Sequence, residues 1–389
     1  MNILIISVGY GLFKPKSGGR NRFYNLAMQL IKKGAKITLL QPSRYKDSID
    51  DTLTDVYYFR VSFRNRTFGT ITDINVDFII KFAKIIQKQK IDVVQVSSPY
   101  GVIASKLVTK LLRKNVPIIY DAHNIQSDIA QCSLNDPKAT CLEKIFALVY
   151  MPLQERIAVK CADHILAVSQ EDEMRFIEKY GIDEKKVTVI PSGVNIIDLA
   201  ILKDKNKIRK ELGIDESKLA IIYHGSYFHP PNREAIDLIK NYLAPEIMKV
   251  DKKIVFVIAG FDVPIFEEEN IKSVGFVEEI YSLIHAADMA IVPILSGGGT
   301  RLKILDYMGV GLPIVTTKKG IEGINAKNGE EAIIVGDVNA KFIDDIRYLL
   351  NNEKKRERIG ANARRLAEEE YDWDNIGEKL DKLYRQILE

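Results

Sequence analysis

Short runs of β-branched and aliphatic residues recur along the chain, and between most of them apolar residues repeat at helical spacing. The first half predicts strands at Ile3–Ser7, Ala35–Leu40, Val56–Phe59, Val93–Val96, Pro117–Tyr120, His164–Val168 and Val187–Ile190. The second predicts them at Leu219–Tyr223, Ile254–Ala259, Ile271–Val274, Met289–Val292, Ile314–Thr316 and Ala332–Val335. Most of these runs are apolar on both faces, the pattern of parallel sheets covered by helices on each side. Each half is therefore expected to be a doubly wound α/β domain. The turn-forming stretch Pro191-Ser192-Gly193-Val194-Asn195, ahead of a lysine-rich helix predicted at Lys203 to Leu212, sets the expected division at residues 1–195 and 196–374.

Length agrees, since 389 residues exceed one ordinary core and suit two domains of roughly 190 residues each. A hydrophobic fraction of 46% with 28% charged residues is that of a globular protein. No apolar run reaches the roughly 20 residues of a spanning helix. The opening NILIIS leads into glycines and lysines rather than a cleavage pattern. Cys132, Cys141 and Cys161 lack metal or redox spacing, so a cytoplasmic setting is expected.

Charge is unevenly placed. Residues 1–200 carry 28 Lys and Arg against 20 Asp and Glu, a balance of +8; the rest carry 28 against 32, or −4, and together these give the chain's +4. A basic first half suits anionic lipid or an acidic acceptor, and the stripe Lys81, Lys84, Lys88, Lys90 marks a helix for peripheral attachment at the inner membrane face. The same stripe also fits an ordinary crossover helix. Basic and aromatic residues do not interleave as in a nucleic-acid module, so no nucleic acid is expected as a partner.

In open α/β sheets ligands collect beyond the carboxyl ends of strands. Polar and glycine residues follow the predicted strands at Gly9 to Gly19, Ser97 to Tyr100, Asp121 to Asn124, Ser169, His224-Gly225-Ser226 and Ser296 to Thr300. The last group, SGGGTRLKILD from Ser296 to Asp306, carries the strongest chemistry. Gly297, Gly298 and Gly299 let backbone N–H groups approach an anion closely at the start of a helix, and Arg301 and Lys303 add positive charge suited to a diphosphate. A glycine-rich turn with two solvated cations is the plainer alternative.

Several segments in collinear order resemble the nucleotide-sugar-dependent glycosyltransferases of family 4. Among them are SGGRNRFYNLAMQLIKKGAKITLL, PIIYDAHNI, ADHILAVSQEDEMRFIEKYGI, HGSYFHPPNREAI and GGGTRLKILDYMGVGLPIVTT. The resemblance implies the GT-B architecture: two facing Rossmann-like domains with a cleft between them, an acceptor-binding first domain, a donor-binding second domain, and a last helix at 375–389 that returns to the first. It further implies retention of anomeric configuration, a UDP- or GDP-sugar donor, a glycan, lipid-linked or small-molecule acceptor, and neither cofactor nor metal.

Residue by residue, the resemblance places Gly18 and Gly19 in a loop facing the donor diphosphate, ahead of a helix starting near Asn21. It sets His123 beside the transferred sugar and Ser226 where donor phosphates approach. Arg301 and Lys303 neutralise the leaving diphosphate, Gly297 to Thr300 offer amides, and Asp306 holds the ribose. Relatives commonly carry two glutamates separated by seven residues; here Gly298 stands at the first position and Asp306 at the second. Sugar recognition would then pass to the amides of Gly298, Gly299 and Thr300. The lone Asp-x-Asp, Asp372-Trp373-Asp374, reads as the acidic start of the last helix rather than a metal site. A nucleotide-sugar 2-epimerase and a non-catalytic nucleotide-sugar-binding protein are the rival readings. A dehydrogenase fits less well, because GYGLFKPKSGG lacks the GxGxxG spacing.

Overall fold

The structure is a computed structural model that describes residues 1–8, 18–45, 55–61, 72–125, 140–197 and 201–389. Most of the loop after the first strand, Cys132, and much of the stretches 42–55, 60–72 and 130–141 lie outside the described residues. Two compact units emerge: Met1–Ser192 with Trp373–Glu389, and Gly193–Asp372.

In the first unit a seven-stranded sheet runs in the order β3-β2-β1-β4-β5-β6-β7, every pairing parallel. Its strands are β1 (Asn2–Ile6), β2 (Lys36–Pro42), β3 (Asp55–Phe59), β4 (Val93–Val96), β5 (Ile118–Ala122), β6 (His164–Ala167) and β7 (Val187–Val189). Alternate residues of each strand feed opposite faces, so Leu4 and Ile6 join one core while Ile3 and Ile5 join the other. The Val76–Lys88 helix, which bears much of the lysine stripe, buries Phe78, Phe82, Ile85 and Ile86 in the first core as a crossover helix does. The last helix begins at Trp373, two residues earlier than expected. It seals the second core with Trp373, Ile376, Leu380 and Tyr384. Asp374 in its first turn accepts from Gln29 at 2.8 Å and Lys32 at 2.7 Å.

In the second unit the order is β10-β11-β9-β8-β12-β13-β14, parallel except where β10 (Phe266–Glu268) meets β11 (Ile271–Gly275). The others are β8 (Leu219–His224), β9 (Ile254–Ala259), β12 (Met289–Val292), β13 (Ile314–Thr317) and β14 (Ile333–Val335). The lysine-rich helix spans Lys205–Glu211. From β8 the chain passes to β9 on one side, while β12 lies on the other, so strand order reverses between β8 and β12. That reversal leaves a crevice at their carboxyl ends, the place where such sheets bind ligands.

Candidate functional site

Beyond β8 and β12 stand the two loops that the sequence singled out. Gly225 follows β8 and Gly260 follows β9, and their backbones touch: a Cβ on Gly260 would lie 2.0 Å from the Gly225 carbonyl. A Cβ on Gly225 would meet Lys303 Nζ at 2.6 Å and the Asn232 amide at 2.9 Å. Glycine there admits two side chains to the strand end. Asn232, in the Pro230–Leu238 helix, donates to the Ser226 carbonyl at 2.9 Å and accepts from Lys303 Nζ at 2.7 Å and the Tyr223 hydroxyl at 3.0 Å. Lys303 also donates to the Tyr223 hydroxyl at 2.7 Å. Burial, reinforced by the nearby Arg301 charge and opposed by Asp306, holds the Lys303 ammonium well below the ordinary lysine range.

Arg301 departs from its expected pose. Instead of reaching outward to a ligand, its nearly buried guanidinium turns back on its own loop and donates to four carbonyls. Nη1 meets Gly298 O at 2.6 Å and also Gly299 O, while Nη2 meets Gly297 O at 2.9 Å and Ser296 O at 3.2 Å. Left-handed backbone at Gly297 and Gly299, φ +88° and +79°, makes this wrapping accessible. Across a trans peptide the N–H points opposite to the C=O. Carbonyls of residues 297–299 gathered on Arg301 therefore turn the amides of Gly298, Gly299 and Thr300 the other way. None of these three amides has a protein acceptor among the described residues, and the buried Thr300 hydroxyl has none either. Successive free amides of this kind form an anion-binding concavity.

Asp306 lies on the Leu302–Val310 helix. It accepts from the Tyr281 hydroxyl at 2.8 Å, and its second oxygen lies 3.3 Å from His224 Nε2. The Tyr307 hydroxyl accepts from the His224 backbone N–H at 2.8 Å and sits 3.0 Å from His224 Nδ1. With Nε2–H directed at Asp306 and the Tyr307 hydroxyl donating to Nδ1, all of these contacts are satisfied. Burial first, and the Asp306 carboxylate second, push the Tyr281 phenol far above its usual range, so it stays a donor. Two carboxylate oxygens offer more lone pairs than these partners occupy, leaving Asp306 capacity for a ligand hydroxyl.

The first unit supplies a separate constellation. Gly18 and Gly19 open the Gly18–Lys32 helix, which begins three residues before Asn21. One turn later, fully buried Arg22 holds Asp121 through Nε at 3.1 Å and Nη2 at 2.7 Å, and the Ile190 carbonyl through Nη1 at 2.7 Å. Asp121 accepts further from Gln95 at 3.1 Å, and Gln95 from the Tyr384 hydroxyl at 2.9 Å. His123 follows two residues after Asp121. Burial foremost, and then the Arg22 charge, lower its imidazole pKa against the pull of Asp121, so it is neutral near neutral pH.

Within the second unit the structure thus gathers Ser226, Gly297 to Thr300, Arg301, Lys303 and Asp306 around one crevice. Within the first it ties the Gly18-Gly19 helix start to the His123 strand end through Arg22 and Asp121. Sequence reasoning gave no role to Arg22, Gln95, Tyr223, Asn232 and Tyr281. Among the described residues no three His, Cys, Asp or Glu side chains cluster as metal ligands.

These features define a two-unit α/β protein with a glycine loop of outward-turned amides at a topological switch point. Two family models match it: Glycosyltransferase Family 4 over residues 16–197, and Glycosyl transferases group 1 over residues 218–352. The chain belongs to the family-4 glycosyltransferases and is an enzyme of that class. It is 24% identical over 300 residues to an Escherichia coli UDP-Gal:alpha-D-GlcNAc-diphosphoundecaprenol alpha-1,3-galactosyltransferase, covering 72% of this chain and 69% of the relative. It is also 24% identical over 302 residues to a D-inositol 3-phosphate glycosyltransferase of Geodermatophilus obscurus, covering 71% of this chain and 63% of the relative. Among solved structures, Anabaena HepE in complex with UDP superposes with a TM-score of 0.72 at 17% identity, covering 99% of this chain and all of the other. A Rickettsia africae glycosyltransferase gives 0.73 at 17% identity, covering 100% and 98%. These likenesses establish the GT-B fold.

Proposed function

We propose that the protein transfers a sugar, with retention and without a metal, from a nucleoside diphosphate donor to a hydroxyl of a glycan or lipid-linked acceptor. The observation that carries this reading is the row of free amides at Gly298, Gly299 and Thr300, turned away from Arg301, in the loop that leads into the helix bearing Lys303. Cleaving the anomeric C–O bond leaves negative charge on the diphosphate, and preorganised donors aimed at that charge lower the barrier most. The acceptor oxygen forms its bond to the anomeric carbon on the same face, and its proton passes to the departing phosphate oxygen. No separate protein base is then needed. Asp306 is assigned the ribose hydroxyls, and neutral His123, able to donate and accept, the sugar hydroxyls. UDP is the favoured nucleotide, because the Escherichia coli relative is named for a UDP-sugar and HepE was solved with UDP.

The test is to incubate the protein with UDP- and GDP-sugars in the presence of a chelator and to measure nucleoside diphosphate release and the anomeric configuration of the product. Release from a UDP-sugar that survives chelation and yields a retained linkage supports the reading. An inverted product or an absolute metal requirement refutes it.

A further inference from the structure

One face of the first sheet is covered by the helices Val76–Lys88, Val102–Leu111, Met151–Cys161 and Gln170–Tyr180, whose inward residues share a core. Their outward faces differ in kind. From Ile145 through the Met151–Cys161 helix the exposed positions are Ile145, Leu148, Val149, Leu153, Arg156, Ile157 and Lys160. The five aliphatic residues are 40–62% exposed and recur at helical spacing, while Ala147, Ala158 and Val159 take the inward side. This segment is therefore apolar on its outward face as well as its inward one.

The next two helices along the layer continue the surface. Leu107 and Leu111 stand out on the Val102–Leu111 helix, with exposed Lys110, Arg113 and Lys114 around its end. On the next, Ile74, Val76 and Ile80 stand out with Lys84 and Lys88. These three helices carry only two carboxylates: Asp77, its side chain 35% exposed and paired with Lys81, and Glu155, fully buried beneath Tyr120 and Tyr180. Beyond them, exposed Asp163 follows Cys161 and is paired with Lys106, and Glu171 and Glu178 are exposed on the fourth helix. Ten large aliphatic side chains and a set of uncompensated lysines and arginines therefore share one helix layer.

We propose that this layer is a docking surface for an anionic lipid bilayer. The aliphatic side chains enter the headgroup–acyl boundary, and the lysines and arginines meet lipid phosphates, their stems lying along the apolar surface. Charge decides against a second copy of the chain as occupant, since two-fold pairing would set the same basic groups against each other. The centre of the surface is the Ile145–Ile157 segment rather than the lysine stripe at residues 81–90. The inference does not depend on the donor reading, because its readout is lipid binding and not transfer.

The test floats the full chain with vesicles of phosphatidylcholine alone and of phosphatidylcholine with phosphatidylglycerol. Wild type is expected on the anionic vesicles only, less so at high salt. L148E/L153E and, separately, K110E/K114E are each expected to lower the bound fraction about tenfold or more. Their unfolding midpoints should match wild type, because all four positions are exposed; L148S/L153S serves if the glutamates disturb folding. Three outcomes overturn the proposal: no binding of wild type to anionic vesicles, undiminished binding by the variants, or a lipid-free dimer that L148E/L153E dissociates.

Discussion

Arg301 donates through Nη1 to the Gly298 carbonyl at 2.6 Å, so the cation of the glycine loop serves as its internal clamp. The expected consequence is that Arg301→Ala frees four carbonyls together, lets the amides of Gly298, Gly299 and Thr300 reorient, and cuts turnover by about a hundredfold, near 3 kcal/mol of barrier. Arg301→Lys keeps the charge but lacks a fork that spans several carbonyls, and it should recover little. Steady-state nucleoside diphosphate release measures the loss. Backbone NMR order parameters at Gly298 to Thr300 separate the clamp from a direct ligand: lower values in the ligand-free variant are expected, and unchanged values would make Arg301 a plain charge.

Lys303 yields a pH prediction. Burial and Arg301 hold its pKa well below the ordinary value, and a bound diphosphate raises it again by placing negative charge alongside. Around that lowered pKa the free protein is partly deprotonated at Lys303, and binding UDP takes up a proton. Uptake means that UDP affinity falls as pH rises through the lowered pKa. Calorimetry in two buffers of different ionisation enthalpy reads the proton directly, and Lys303→Gln should abolish the uptake together with the pH slope. Equal uptake by variant and wild type would assign the proton elsewhere.

Arg22 is buried with Asp121, and removing one member of such a pair strands the other. Arg22→Ala is expected to cost about 3–5 kcal/mol of unfolding free energy, measured by urea titration of the N-terminal transition. Because the Arg22 charge lowers the His123 pKa while Asp121 raises it, the same variant should shift the His123 titration upward. NMR of the imidazole protons follows that shift, and a downward movement would contradict the electrostatic assignment.

Legibility in the sequence followed the range of the interactions. All thirteen strands expected from apolar runs are present, to within two residues at each end, because both faces of a parallel strand are buried and the pattern is local. β10 went unseen: Phe266–Glu268 offers one apolar residue and pairs antiparallel at an edge, where burial does not write the pattern. Arg22 was illegible for another reason. A basic residue in an amphipathic helix reads as solvent-facing, and its partners Asp121 and Ile190 lie 99 and 168 residues away. The glycine loop announced its chemistry, yet the reversal of Arg301 depends on backbone angles at Gly297 and Gly299 that composition does not specify. Asn232 and Tyr223 acquired meaning only once the end of β8 met the Leu302–Val310 helix.

Gly225 gives the sharpest test of that meeting. Gly225→Ala puts a methyl group 2.6 Å from Lys303 Nζ and 2.9 Å from the Asn232 amide, closer than real Cβ contacts come. Lys303 has a flexible stem and can withdraw; Asn232, holding the Ser226 carbonyl and the Tyr223 hydroxyl, has less room to move. Stability should therefore fall by only about 1–3 kcal/mol, the usual cost of a tight overpacked site. UDP binding should fall further than stability does, because the displaced ammonium loses its place on Tyr223 and Asn232 at the end of β8. Gly260→Ala is the contrasting control: its methyl group would meet the Gly225 backbone at 2.0 Å from a φ of +148°, so it should damage folding itself. Thermal unfolding with and without UDP distinguishes the two. A Gly225→Ala protein that melts slightly lower and keeps the full UDP-induced rise would show that Lys303 does not need its place beneath β8.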